Sequence, residues 1–119
     1  AAIAAVHDRA ATAADTDWPQ VLGLYGLLEQ VAPSPFVTLA KAVALAEVHG
    51  PDAAVPVLVS LDATLGDHQR LHAVKGHVAE LAGDRARARQ HYLAAAARAT
   101  NLPEQRYLTR RATVLATEC

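Results

Sequence analysis

Histidines and arginines are the side chains of this 119-residue chain with the most chemistry to offer. His68 and His72 stand four positions apart, so a helix would carry both on one face, with His77 a turn and a half later. Two neutral imidazoles at that spacing can hold zinc if a third ligand arrives from His49 or a carboxylate. The glutamate of an H-E-x-x-H helix is absent, so the same spacing also reads as polar histidines on a helix surface. In "DRARARQH", Arg85 and Arg89 share one face and Arg87 and His91 the next. Like charges at i, i+4 repel, so this stripe does not serve its own helix and is either an anion-facing surface or a solubility device. A second cluster, Arg106, Arg110 and Arg111, closes the chain in "NLPEQRYLTRRA".

Other reactive patterns are missing. The six glycines are dispersed, so no phosphate-cradling loop exists. No G-x-S-x-G elbow surrounds Ser34, which stands before Pro35 as a helix cap. Asp52, Asp67 and Asp84 sit at helix starts, where a carboxylate satisfies free backbone N–H groups. No general acid and base are paired. Too few aromatics interleave the arginines for stacking on single-stranded nucleic acid, and no recognition helix with its partner turn stands out. These patterns point away from an enzyme, with no cofactor or metal expected.

The elements that must position these residues are helices. Hydrophobic residues make up 52% of the chain and aromatics only 4%, with alanine supplying much of the apolar share. Small side chains let helices approach closely, and the period-two runs of strands are missing. Punctuation separates seven helices. The first spans about 2–14. Asp17 and Pro19 open the second, which "PSP" stops near Val31. Ser34 caps the third, which ends at Gly50. Pro51 or Asp52 opens the fourth, expected to end near Asp62, with Pro56 distorting its first turns or keeping it short. "TLGD" reads as a loop, with Asp67 capping a fifth helix to Ala82. Asp84 caps the sixth, to about Ala99, and Asn101 or Leu102 the last.

The formal net charge is −1, which gives no bulk reason to expect nucleic-acid binding. Its distribution is uneven. Residues 1–67 hold Arg9 and Lys41 against eight acids, whereas 68–119 hold nine basic residues against Glu80, Asp84, Glu104 and Glu118. The reading is either a solvated polar surface or an acidic and a basic end meeting different partners. Cys119 is the only cysteine, so no intrachain disulfide forms, and no apolar run approaches membrane-spanning length. Both fit a cytoplasmic protein. The chain has no methionine and opens in helical pattern without a cap, which suggests a piece of a longer polypeptide.

Gly50 and Gly83 each separate two helices and stand 33 positions apart, and Asp17 lies 33 before Gly50. A period of 33–34 residues with two helices per unit is that of tetratricopeptide-like arrays. The units run about 2–32, 34–62 and 67–99, closed by a capping helix at 102–117. The third unit is the best defined: Gly76 allows close approach, and Ala88, Tyr92 and Ala95 form a small–large–small stripe. An irregular all-α bundle is the alternative. In the repeat register the first helices of each unit share an inner face, which places His7, Lys41, Glu47, Arg70, His77 and Glu80 on one partner-binding surface.

Three stretches carry a resemblance: the "TDW" to "LY" segment, "PSPFVTLAKAVALAEVHGP", and "LPEQRYLTRRA". With "AAIAAVHDRA" before them, they resemble the C-terminal extension of a group of bacterial extracytoplasmic-function sigma factors over nearly the whole chain. Ala40 and Lys41 stand where that family more usually has an Asn-Arg pair, so Lys41 keeps a positive charge there. The resemblance implies a tetratricopeptide-like domain following two sigma domains that bind DNA and polymerase. It would modulate transcription initiation through the sigma core domains or RNA polymerase, without touching nucleic acid or membrane itself. A free-standing peptide-binding adaptor and a small metal-dependent enzyme using His68 and His72 are the rival expectations.

Overall fold

The computed structural model describes residues 16–117. The helix expected at 2–14 and His7 lie outside them. Six helices fill the described residues and no strand occurs among them: α1 (Trp18–Val31), α2 (Pro35–His49), α3 (Pro51–Leu65), α4 (Gln69–Leu81), α5 (Arg85–Ala97) and α6 (Leu102–Thr117). The all-α class is thus the one expected from composition. None of the helices is long and apolar enough to cross a membrane.

The caps explain the boundaries. The Asp17 carboxylate accepts from the Gln20 N–H, the Ser34 hydroxyl from Phe36 and the Asp84 carboxylate from Arg87. Asn101 closes a reciprocal pair with Glu104: its Oδ1 accepts from the Glu104 N–H at 2.9 Å and its Nδ2 donates back to the carboxylate at 3.1 Å. Gly50 and Gly83 take positive φ, of 97° and 81°, which side chains resist, and there the chain reverses.

Two boundaries differ from expectation. His68, not Asp67, caps α4: its Nδ1 accepts from the Arg70 N–H at 3.1 Å, which frees Asp67 to turn toward His72 and Arg98. And α3 continues past Pro56 to Leu65 instead of stopping near Asp62. Pro56 lies on the exposed side just past the first turn, where the carbonyl it crowds belongs to exposed Asp52 and can tilt to water. The last turn is retained because Leu61 is buried and Leu65 packs beside it.

The interior consists of three apolar clusters in series. Val21 and Ala44 join α1 to α2, flanked by Trp18, Leu22, Leu24 and Tyr25. Leu39, Ala42, Ala46, Ala54, Leu58, Leu61, Leu71 and Val78 join α2, α3 and α4. Ala79, Ala88, Tyr92, Ala95, Ala96, Leu108, Ala112 and Leu115 join α4, α5 and α6. Helix α4 serves two of these cores. Leu71, Val74 and Val78 point one way, while Ala73 and Ala79 point the other. Gly76 lies under the Tyr92 ring, and a Cβ there would meet ring atoms at 3.1 Å, so the close α4–α5 packing depends on this glycine. Burying Leu71 completely contributes about 2 to 3 kcal/mol.

Candidate interaction surface

Each described residue of the expected partner surface is engaged with a neighbour. Lys41 Nζ on α2 reaches Glu29 Oε1 on α1 at 3.0 Å, and the same carboxylate accepts from the Thr38 hydroxyl at 2.9 Å. The Lys41 hydrogen bond, then that of Thr38, outweighs burial and holds the Glu29 carboxyl below its ordinary value. Arg70, exposed at the start of α4, lies over the Phe36 ring of α2 at 5.3 Å, a cation–π contact. His68 meets the same ring edge-on at 5.1 Å.

Glu47, His77 and Glu80 form a pattern with Arg111. Glu47 of α2 meets His77 Nε2 of α4 at 2.9 Å. Glu80 of α4 pairs with Arg111 of α6 through Oε2 and accepts the Tyr92 hydroxyl of α5 at 2.9 Å through Oε1. Burial raises the Glu80 carboxyl's affinity for a proton, but the hydrogen bonds from Arg111 and Tyr92 and the Arg111 charge together hold it below the usual range. The two acids are 33 positions apart and their two bases 34, so one bond is made twice, tying α2 to α4 and α4 to α6. The sequence pattern places Glu47, His77 and Glu80 on a shared surface. The structure joins Glu47 to His77 and sends Glu80 to Arg111, leaving each side chain partly exposed.

The histidines separate. His68 caps α4, while His72 turns its Nδ1 to His91 Nδ1 at 3.2 Å and its Nε2 to Asp67 at 3.3 Å. Among the described residues no three His, Cys, Asp or Glu side chains are grouped so as to hold a metal ion. His91 is held below the ordinary imidazole range by burial first, then by the charges of His72, Lys75 and Arg87, against the opposing pull of Asp62. Its ring borders an open groove of about 340 Å³ between α3, α4 and α5, floored by Leu58, Val78 and Ala79 and edged by exposed Val55 and Val59.

The C-terminal arginines divide by face. Arg111 turns inward to Glu80, flanked by the buried Leu108 and Leu115. Arg106 and Arg110 are exposed on the outer face, where they line a shallow depression with Gln105, Thr109 and Thr113. Spacing in the sequence already sets Arg106 and Arg110 on one face, apart from the Leu108, Ala112 and Leu115 stripe, and leaves Arg111 unplaced. The signal that places it is that Arg111 is three positions after Leu108 and four before Leu115, hence beside the apolar stripe.

No family model matches the chain. No solved structure matches it either. Over 118 residues the chain is 38% identical to an uncharacterized protein of Rhizobium meliloti. The match takes in 99% of this chain and 28% of that protein, so the chain spans little more than a quarter of its relative's length.

Proposed function

We propose that this chain is the regulatory, protein-interaction part of a bacterial extracytoplasmic-function sigma factor, built as a short tetratricopeptide-like array of hairpins. It modulates transcription initiation by contacting the sigma core domains or RNA polymerase, and it performs no catalysis. The observation that carries the array reading is the repeated bond, Glu47–His77 and then Glu80–Arg111, at the 33–34-residue register of such repeats. In this reading α6 is the cap that covers the last apolar core.

The sigma-factor reading is supported by the three motif stretches. The relative's length is compatible with it: most of that protein lies outside the match, which leaves room for two further domains. The test is transcription in a reconstituted system, with the full-length parent compared with a form lacking this region. A changed level of initiation, with the DNA-binding domains still folded, is the expected result, and unchanged initiation overturns the reading. The open groove beside His91 favours a second reading, a stand-alone peptide-binding adaptor. Sigma domains encoded upstream in the same reading frame would exclude it.

A further inference from the structure

We propose that the outer face of α6 is a docking surface for an acidic helical segment of a partner protein, with Arg106 and Arg110 receiving carboxylates spaced one helical turn apart. This rests on the interaction-module reading and names the chemistry of the partner.

The two guanidinium groups, with Arg89 of α5, are left without an ion-pair partner among the described residues, where most other cations are engaged. Lys75 pairs with Asp62, Arg87 with Asp84, Arg98 with Asp67 and Arg111 with Glu80. Arg70 lies over Phe36. Glu104, the acid nearest in sequence to Arg106, is tied to Asn101. Arg106 and Arg110 are exposed and have no hydrogen-bond or ion-pair partner among the described residues. They do not serve α6 itself. Like charges at i, i+4 weaken a helix, and the last turn, where the helix dipole would favour a cation, holds none.

Their geometry selects the occupant. Four residues of helix separate the two charges by about 6 Å along the axis, the same rise that separates Glu residues at i, i+4 on a partner helix. Each planar guanidinium can take one carboxylate bidentately. Nucleic acid fits less well. Its affinity comes from many phosphate contacts, whereas this face offers two cations on a chain with a net charge of −1.

The test is fluorescence anisotropy of the 119-residue chain with a labelled helical peptide bearing Glu at i, i+4, against the same peptide with Gln. At low salt the Glu peptide should bind at least about ten-fold tighter, and R106E/R110E should remove that preference. The equal-charge control R87E/R89E should weaken binding less than about two-fold. Equal losses in both variants, equal binding of the two peptides, or tighter binding of a duplex DNA oligonucleotide each overturn the proposal. If R106E/R110E lowers the melting temperature, R106Q/R110Q replaces it with the same expected result. In the full-length parent, a transcription effect lost on deleting this region but kept in R106E/R110E removes the docking surface and leaves the interaction-module reading standing.

Discussion

Glu80 is the residue on which three helices agree. It comes from α4, takes the Tyr92 hydroxyl from α5 and pairs with Arg111 from α6. Replacing it with Gln keeps the shape but removes a charge that two donors expect. The loss should be about 2 kcal/mol, read from urea melts at neutral pH. Because the folded carboxyl sits below its ordinary value of 4.5, its contribution is present above that pH and is lost as pH falls through the depressed folded value. E80Q should flatten this acid limb. His91 acts in a different window. Its folded value is also depressed, so the neutral ring is favoured; its contribution is complete above the ordinary 6.5 and declines as pH drops from there through the folded value. The facing groups are His72 and Lys75 of α4, Arg87 of α5 and Asp62 of α3, and the Nδ1–Nδ1 contact at 3.2 Å requires one ring to accept. His91→Leu should therefore reduce the drop in melting temperature between neutral and mildly acidic pH, measured by circular dichroism.

At the scale of the element, α4 and α5 approach closely because Gly76 has no side chain. Gly76→Ala sets helix propensity against sterics. Alanine gains about 1 kcal/mol in a helix interior, but its methyl meets a Tyr92 ring held in place by Glu80. Sterics should win, with a net loss of about 1 to 2 kcal/mol. In a Tyr92→Ala background the same change should become neutral or favourable, and a double-mutant cycle of thermal melts would show the difference. The helices themselves were largely legible, since Asp17, Ser34, Asp84 and Asn101 all cap where their residue types and the following apolar periodicity place them. The missed boundaries have local causes. His68 competes with Asp67 for the same free N–H groups, and Pro56 falls where its damage is solvent-facing. The surface residues were legible as a register but not as bonds. Spacing says that Glu47 and Glu80 repeat, whereas their partners come from helices thirty residues on, whose rotation no local pattern states.

For the whole molecule, the arrangement of cores matters more than their size. The second and third apolar clusters meet only through α4, with Leu71 and Val78 on one side and Ala79 on the other. Leu71→Ala removes the largest fully buried side chain of α4 and should cost about 3 kcal/mol. Hydrogen exchange should then show α2 and α3 losing protection before α5 and α6, two steps where a single shared core would give one. A partner that levers α6 outward pulls on its packing against α5 and on the Arg111–Glu80 bond, and through both on α4. Strain entering at the C-terminal helix thus reaches α2 and α3 through one thirteen-residue rod, so a contact made at one end of the chain can be felt as tension at the other.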